Sequence, residues 1–362
     1  MKARMLTLLM LLLATVGAHA DYTVETIVDG LDHPWSIAFL PDGRMLVTER
    51  AGRLRIVEDG ALLADPVSGV PDVFVGGQAG LFDVVLDPGF QENRTLYLSY
   101  AQGDDRANAI RVLRARLDGN TLRDSEVLFT VAPDKDTPHH YGGRMAFLPD
   151  GTLLLTTGEG FNYREQAQRL DNHLGKVIRL HSNGDVPDDN PFVGESSARP
   201  EIWSYGLRNP QAIVVDASSG DVYLHDHGPR GGDELNRILP GRNYGWPVVS
   251  EGIDYSGAGI TPFRAYPDME APITTWTPSI APSGMTLYDG ALFPAWQGDL
   301  FVGALAERSV RRVRLGDDRV IEEEILFDEL GERIRDVRTG PDGAIYLLTD
   351  SADGSVLRIV PQ

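Results

Sequence analysis

The stretch Pro41-Asp42-Gly43-Arg44-Met45-Leu46-Val47 joins a tight turn directly to a short apolar strand, and this combination recurs along the chain. Proline and glycine suit such turns because the turns demand a fixed or a positive φ. Further copies of the turn–strand unit follow at residues 88–98, 149–155, 218–224, 297–302 and 341–347. Strands between the turns alternate apolar and polar side chains, and sustained helical periodicity is almost absent.

The six units predict an all-β protein, and specifically a six-bladed β-propeller in which each blade is a small antiparallel sheet. Their spacing is widest between residues 218 and 297, which predicts long inserted loops that form a site on one face. The strand pattern at 22–27 is expected to complete the last blade and close the ring. A β-sandwich with similar turns is the alternative fold. Because no linker divides the chain, residues 21–362 are expected to form a single domain.

The first twenty residues have the features of an export signal. Lys2 and Arg4 precede an apolar run at 5–16, and Ala18-His19-Ala20 has the small residues of a cleavage site. The apolar run is too short to span a bilayer comfortably, so we expect removal of residues 1–20 rather than a retained membrane anchor. This interpretation predicts a periplasmic or secreted protein without stable membrane insertion.

Composition narrows the possible functions. A formal net charge of −20 repels a phosphate backbone, which argues against nucleic-acid binding. The chain has no cysteine, which excludes disulfides, thiolate metal sites and a thiol nucleophile. Acidic, oxygen-rich loops suit a hard cation such as calcium, although acidity also simply keeps an exported protein in solution.

The most informative motif is the run His140-Tyr141-Gly142-Gly143-Arg144, which is followed by Glu159 after one strand pattern. A carboxylate next to an imidazole fixes its tautomer and strengthens it as a base. His140 and Glu159 therefore form a candidate catalytic dyad. His139 competes with His140 for this role, and a histidine in a loop is more often a surface residue than a catalyst.

Four further residues suit an anion or a quinone oxygen. Arg208 and Asn209 offer donors in a loop that Pro210 stiffens. Arg333 and Arg335 alternate, so both guanidiniums point to one side of an extended segment. The alternative for Arg208 is a solvated loop arginine that binds no ligand. The alternative for Arg333 and Arg335 is neutralisation by the adjacent Asp336.

A calcium site is plausible in the loop after the fourth repeat. Gly228 and Pro229 can turn two consecutive carbonyl oxygens the same way, and Glu234 with the carbonyl near Tyr244 can hold a second, structural ion. The alternative to a calcium site is that these are ordinary acidic loop residues.

Ser279 lies in a proline-bounded loop and lacks the Gly-x-Ser-x-Gly setting of a hydrolase nucleophile.

Over essentially the whole mature chain, these motifs resemble those of the soluble sugar dehydrogenases that depend on pyrroloquinoline quinone (PQQ), in particular the aldose sugar dehydrogenase branch. The motifs that carry the resemblance are 77–81, 140–144, 158–159, 208–211, 228–229 with 233–234, 243–247, 278–282 and 333–337. So many motifs in order make the family specific but leave the substrate open.

The resemblance implies an enzyme that oxidises aldose sugars at C1 to lactones by hydride transfer to C5 of PQQ. It makes His140 the general base that removes the proton of the anomeric hydroxyl, and Glu159 the residue that orients it. The resemblance also implies binding roles: Arg208 and Asn209 for the quinone oxygens, Ser279, Arg333 and Arg335 for cofactor carboxylates, Gln78 and Gln211 for the sugar, the carbonyls of Gly228 and Pro229 for the Ca²⁺ that polarises PQQ, and Glu234 and Tyr244 for a second calcium ion.

One position departs from the family pattern. Members usually carry a lysine that reaches the cofactor after the strand of the fifth unit, where this chain has Ala306, with Arg308 as a candidate substitute. Loss of a desolvated cation predicts PQQ binding weaker by about 1–3 kcal/mol.

Two other functions stay open, a calcium-dependent propeller lactonase or esterase and a non-catalytic propeller that binds a glycan or a partner. The sequence specifies neither the sugar, the electron acceptor nor the oligomeric state.

Overall fold

The computed structural model describes residues 22–317 and 319–362, which form six four-stranded antiparallel sheets arranged in a ring. The predicted all-β, six-bladed propeller is confirmed. The predicted signal peptide, residues 1–20, lies outside the described residues. Among the helices of the described part of the chain, none has the length and apolar character that crossing a membrane requires.

Each sheet is one blade. The strand that comes first in the chain, β1 (Tyr22–Leu31), belongs to the last blade. Blades 1 to 3 are formed by β2 (Pro34–Phe39), β3 (Met45–Glu49), β4 (Arg53–Glu58) and β5 (Ala61–Leu62); β6 (Leu81–Leu86), β7 (Thr95–Gly103), β8 (Asn108–Asp118) and β9 (Thr121–Thr130); and β10 (Gly142–Phe147), β11 (Leu153–Thr157), β12 (Lys176–Leu180) and β13 (Ile202–Tyr205). Blades 4 to 6 are formed by β14 (Pro210–Val215), β15 (Val222–Asp226), β16 (Asp233–Ile238) and β17 (Thr274–Trp276); β18 (Pro282–Leu287), β19 (Leu300–Ala304), β20 (Ser309–Gly316) and β21 (Arg319–Leu326); and β22 (Ile334–Thr339), β23 (Ile345–Thr349) and β24 (Gly354–Pro361) with β1. Short helical segments are α1 (Phe90–Asn93) and the 3₁₀ turns Arg164–Gln168, Pro294–Trp296 and Asp328–Leu330.

The ring closes through the last blade. β1 pairs antiparallel with β24, from Tyr22 opposite Pro361 to Leu31 opposite Gly354, so the early strand completes this sheet as predicted. Without β1, β24 would be the edge strand of this sheet, and one row of its backbone groups would be unpaired. The pairing covers that edge. The first strands of the blades, β2, β6, β10, β14, β18 and β22, contact one another in succession and form the innermost ring.

The predicted turn–strand units are the connections between the first two strands of each blade. Their apolar segments form the second strands β3, β7, β11, β15, β19 and β23. Every residue of β3, β11, β19 and β23 is buried, because both faces of a blade pack against neighbouring blades. The core is therefore divided into clusters between blades, such as the one that joins Leu46 and Leu54 to Leu81 and Leu96.

The end of the ring opposite these turn–strand connections is less regular. The register of every innermost strand shifts near its first residues, for example between Gly142 and Met145 and between Ile334 and Asp336. Such bulges bend the strand and redirect its side chains. The widest predicted gap contains residues 239–273, all of them described, which connect β16 to β17 without a regular strand.

Candidate active site

A polar pit opens at the bulged end of the ring. Its volume is about 330 Å³, and residues of all six blades line it. The walls combine aromatic rings with amide and charged groups, among them Trp35, Phe82, Tyr141, Gln78, Asn209, Gln211, Arg333, Arg335 and Asp350. Aromatic walls with guanidiniums at one side suit a planar, anionic ligand.

His140 and Glu159 lie together behind Gln78, which lines this pit. Nδ1 of His140 is 3.1 Å from Oε1 of Glu159, and both side chains are buried. The backbone N–H of His140 donates to Oε1 of Gln78 at 2.7 Å, which connects the dyad to a residue that lines the pit. His140 has a φ of +49°, in the left-handed region that residues other than glycine adopt uncommonly.

Glycines on both sides of Glu159 explain how the strand end reaches the histidine loop. Gly158 donates its N–H to the carbonyl oxygen of Tyr141 at 2.7 Å. A Cβ at position 158 would come within 2.3 Å of the carbonyl oxygen of His140, so this approach requires glycine. Gly160 donates to the same carbonyl oxygen at 3.3 Å. The carboxylate between the two glycines is thereby directed at the imidazole.

Burial controls the protonation of the dyad. It raises the pKa of Glu159 to about 7, and burial together with the positive charge of Arg208 lowers the pKa of His140 well below its ordinary value. The pair therefore loses its proton near pH 7. Above that pH, Glu159 is a carboxylate and His140 is a neutral imidazole, the form in which histidine acts as a base.

Arg208 and Asn209 are held by a carboxylate on the same blade. The two oxygens of Asp226 accept the backbone N–H groups of Arg208 and Asn209, each at 2.6 Å. Oδ1 of Asn209 accepts the N–H of Gly142 at 3.2 Å and Nε2 of Gln211 at 3.1 Å. These bonds fix both amide side chains in the wall of the pit.

A smaller cavity of about 190 Å³ adjoins this region, and Glu159, Arg208 and Pro229 line it. Arg208 lines this cavity, and its Nη1 donates to the carbonyl oxygens of His227 and Gly228, both at 3.0 Å. His227 itself lines the pit. The predicted residues are thus divided: Gln78, Asn209, Gln211, Arg333 and Arg335 line the pit, Glu159, Arg208 and Pro229 line the side cavity, and His140 lies between Gln78 and Glu159.

The two arginines of β22 and the loop before it share one carboxylate. Nη2 of Arg333 and Nη2 of Arg335 lie 3.0 Å and 3.1 Å from Oδ2 of Asp350. Two guanidiniums against one carboxylate leave a net positive charge in the pit. Among the described residues, the buried Nε of Arg335 has no hydrogen-bond partner. This corner therefore offers both charge and a free donor to an anion.

Three predicted or candidate contact residues lie outside the pit lining. Ser279 donates its hydroxyl to Oδ2 of Asp233 at 2.7 Å. Ala306 is exposed, and Arg308 donates to the carbonyl oxygen of Gly331 at 2.7 Å rather than supplying a cation to the pit. A different arginine, Arg50, does line the pit.

Of the residues predicted to hold calcium, Gly228 contacts Arg208, and Glu234 lies opposite Asp226 in the sheet. The carbonyl oxygens of His227 and Gly228 converge on the Arg208 guanidinium, so the backbone there presents oxygens to a positive charge. Burial, with the neighbouring carboxylate of Asp226, raises the pKa of Glu234 to about 8. Tyr244 is buried, and its hydroxyl donates to the carbonyl oxygen of Arg237 at 2.7 Å. Within residues 22–317 and 319–362, no three His, Asp or Glu side chains gather as a metal site would require.

Sequence reasoning missed the ion-pair network next to the pit. Arg144 lies 3.0 Å from Asp336 and 3.7 Å from Asp83, and Arg338 lies 3.0 Å and 3.2 Å from the same two carboxylates. The guanidinium of Arg144 also stacks 4.0 Å from the ring centre of Trp35. A signal was present for Arg144, which belongs to the histidine motif, whereas Arg338 does not continue the alternation of Arg333 and Arg335.

A second missed feature is the carboxylate at the end of the second strand. Glu49 and Asp226 end β3 and β15, while Glu159 and Asp350 closely follow β11 and β23. Each of them binds a residue of the bulged end of the ring. The recurrence of an acid at the same place in the repeat could have identified Asp350 as a pit residue from sequence.

The fold and this site define a propeller enzyme of the sugar-oxidising class. The glucose/sorbosone dehydrogenase family model matches residues 31–358, and the chain belongs to that family. Aldose sugar dehydrogenase YliI of Escherichia coli is 46% identical over 352 residues, which cover 96% of this chain and 95% of that protein.

Solved structures support the same assignment. The apo-form crystal structure of the soluble aldose sugar dehydrogenase from Escherichia coli superposes with a TM-score of 0.90 at 45% identity, covering 94% of this chain and 100% of that one. The PQQ-bound aldose sugar dehydrogenase from Streptomyces coelicolor superposes with a TM-score of 0.76 at 26% identity, covering 94% of this chain and 99% of that one.

Proposed function

We propose that this protein is a periplasmic or secreted dehydrogenase that oxidises aldose sugars at C1 to lactones, with PQQ and Ca²⁺ as cofactors. The observation that carries the proposal is the buried His140–Glu159 dyad, which is bonded through Gln78 to a pit rich in arginine. The family and the PQQ-bound relative support the choice of cofactor. The electron acceptor is left open.

The pit fits PQQ, which is a flat quinone with three carboxylates. Trp35, Phe82 and Tyr141 provide aromatic walls, and Arg333 and Arg335 provide the excess positive charge. The unpartnered Nε of Arg335 is a ready donor to a carboxylate. When bound, PQQ supplies the redox chemistry by accepting a hydride from C1 of the sugar.

The backbone at Gly228 is the candidate position for a calcium ion next to this cofactor. Its carbonyl oxygen accepts from Arg208 in this structure, so an ion bound there would take over part of the role of that guanidinium. Carbonyl oxygens are ordinary calcium ligands, and we assign the carbonyls of Gly228 and Pro229 to this ion. Glu234 and the carbonyl of Tyr244 are assigned to a second ion, whose charge would offset the crowding of Glu234 by Asp226.

The chain's own residues can perform the proton transfer. Above pH 7 the Glu159 carboxylate accepts Nδ1–H of His140, which leaves Nε2 free to take the proton of the anomeric hydroxyl. Gln78 and Gln211 line the pit and orient the sugar. The donors of Arg208 and Asn209 stabilise negative charge that develops beside the sugar.

Reconstitution tests the proposal directly. Protein loaded with PQQ and Ca²⁺ should reduce an artificial acceptor dye when an aldose is added, and a chelator should abolish the reaction. His140→Ala should keep PQQ and lose turnover by roughly 10²–10⁴-fold, whereas the matched His139→Ala should stay active. No turnover by folded protein across a broad aldose panel would refute the function, and the reverse ranking of the two histidines would move the base to His139.

The pH profile provides a second test. The base is active only after the dyad loses its proton, so the rate should rise with pH through a limb near pH 7. Glu159→Gln removes the carboxylate, and we expect it to lower kcat and abolish that limb. A limb that is identical in wild type and Glu159→Gln would show that another group controls the reaction.

The alternative of a calcium-dependent propeller lactonase lacks its expected arrangement. Such a mechanism uses acidic side chains gathered around a central metal. Here Asp83 and Asp336 are paired with Arg144 and Arg338 instead. The guanidiniums take the place that a metal would need, and Arg333 and Arg335 would have no task in that reaction.

A further inference from the structure

Lys135 is a buried cation on the side of the histidine loop away from the pit lining. It is 4% exposed, and its ammonium group has three partners. Nζ lies 3.0 Å from Oδ1 of Asn108, 2.5 Å from the carbonyl oxygen of Thr137 and 3.4 Å from the ring centre of Tyr141. Burying an ammonium group is costly unless its hydrogens are satisfied, so this arrangement is a specific one.

These partners lie on both sides of His140 in the chain. Thr137 precedes the histidine, and Tyr141 follows it directly. The Tyr141 hydroxyl also donates to Oδ1 of Asn108 at 2.5 Å, which closes the network around the ammonium group. The backbones of Asn108 and Lys135 exchange two hydrogen bonds of 2.9 Å, so the lysine is anchored to β8.

The stem of the same lysine packs under the other half of the dyad. A Cβ at Gly160, the residue after Glu159, would come within 2.8 Å of Cδ of Lys135. The Thr137 hydroxyl donates to the carbonyl oxygen of Gly160 at 2.6 Å. Lys135 therefore contacts the segments that carry both the imidazole and the carboxylate, and a cavity of about 10 Å³ is lined by Lys135 and His140 together.

We propose that Lys135 is a positioning residue for the His140–Glu159 dyad, holding the two loops in register and disfavouring protonation of the pair through its positive charge. The catalytic part of this inference rests on the proposed function. The charged and titratable groups that act on His140 are Glu159, Arg208, His227, His139 and Lys135, and those that act on Lys135 are Glu159 and Asp136.

Burial lowers the pKa of Lys135 to about 7, so the lysine is charged in the acid range where the dyad takes up its proton. Removing the cation makes protonation of the pair easier, which raises the pKa of the pair. The active, deprotonated form then appears at higher pH. The acid limb of kcat/KM should therefore move upward.

The variant Lys135→Met keeps the length of the side chain and removes the charge. In the PQQ- and Ca²⁺-loaded protein we expect kcat to fall by about tenfold with little change in KM, and the acid limb to rise by about 0.5–1 pH unit. Lys135→Arg restores a cation and should return the limb toward wild type. If Lys135→Met does not fold, Lys135→Gln offers the same loss of charge with a donor retained.

Lys176, in β12, provides a matched control because it is also a buried lysine. It is fully buried, and its Nζ donates to the carbonyl oxygens of Gln166, Ala167 and Leu174, with none of the dyad residues among these partners. Lys176→Met should lose stability, as Lys135→Met should, without moving the acid limb. Equal shifts in both variants would reduce the role of Lys135 to general packing.

A measurement that needs no turnover separates this inference from the proposed function. The His140 imidazole can be followed by ¹³C NMR during a pH titration of the loaded protein, with His140→Ala identifying its signal. Lys135→Met should shift that titration to higher pH. An unchanged titration in folded Lys135→Met overturns the inference, whereas a shifted titration in a protein without sugar turnover overturns only the proposed function.

Discussion

Two arginine clusters within the innermost ring differ in their balance of charge. Arg144 and Arg338 face two carboxylates, Asp83 and Asp336, whereas the two pit arginines face Asp350 alone. In the balanced cluster both carboxylates are fully buried. The unbalanced cluster lines the pit. An arginine alone therefore does not indicate a ligand site. Positive charge in excess of the neighbouring carboxylates does.

Adjacent residues of one strand serve these two clusters. Arg335 and Asp336 follow one another in β22, and their side chains point to different sides of the strand. The clusters are also connected, since Nη2 of Arg144 donates to the carbonyl oxygen of Arg335 at 3.2 Å. The balanced cluster thus supports the backbone from which Arg335 projects into the pit.

The largest expected effect is on stability. Asp336→Asn leaves Arg144 and Arg338 with one carboxylate between them in a buried site, which should lower the free energy of unfolding by roughly 3–5 kcal/mol. Urea denaturation measures this loss. Asp350→Asn, the matched change in the pit, removes the carboxylate from two arginines that are 42% and 13% exposed, and it should cost less than Asp336→Asn because solvent screens one of them. Equal losses in the two variants would remove the distinction between the clusters.

The fold could be predicted almost completely because it depends on local signals. The turns at 41, 149 and 341 specify short hairpins, and their recurrence specifies the number of blades. Each blade buries both faces of its second strand, so runs such as Leu153-Leu154-Leu155 are readable without knowledge of distant partners. The strand pattern at 22–27 was expected to complete the last blade, and β1 does so.

The site was less predictable because it depends on contacts between blades. Asn108 lies in β8 and Lys135 in the connection between β9 and β10, and nothing in either local sequence indicates their hydrogen bond. The division of the predicted residues between pit and side cavity depends on where Arg208 donates, which is a tertiary property. Motif residues such as His140 and Glu159 were identifiable because glycines bring them together over a short distance in the chain.

The next largest effect is on PQQ affinity, which should depend on the pit arginines and not on arginines elsewhere. Arg335→Met removes the unpartnered donor and the charge, and we expect PQQ to bind roughly 10–100-fold more weakly while folding stability changes little. Quenching of tryptophan fluorescence measures the affinity, since Trp35 lines the pit. Arg308→Met is the control, because Arg308 bonds to the carbonyl oxygen of Gly331 outside the pit. Unchanged PQQ affinity in Arg335→Met would show that the surplus charge serves another ligand.

The smallest effect tests whether the surplus of charge in the pit can be increased. Ala306→Lys places an ammonium group at the position where the family resemblance predicted a lysine, but the position here is exposed, so solvent screens its charge. We expect the lysine to strengthen PQQ binding by only about 0.2–1 kcal/mol, or up to roughly fivefold, and to make binding more sensitive to salt. Ala306→Met adds comparable length without charge and should leave the affinity unchanged. If lysine and methionine at 306 give the same PQQ affinity at low salt, the position does not reach the cofactor, and Arg333, Arg335 and Arg50 supply the positive charge of the pit without it.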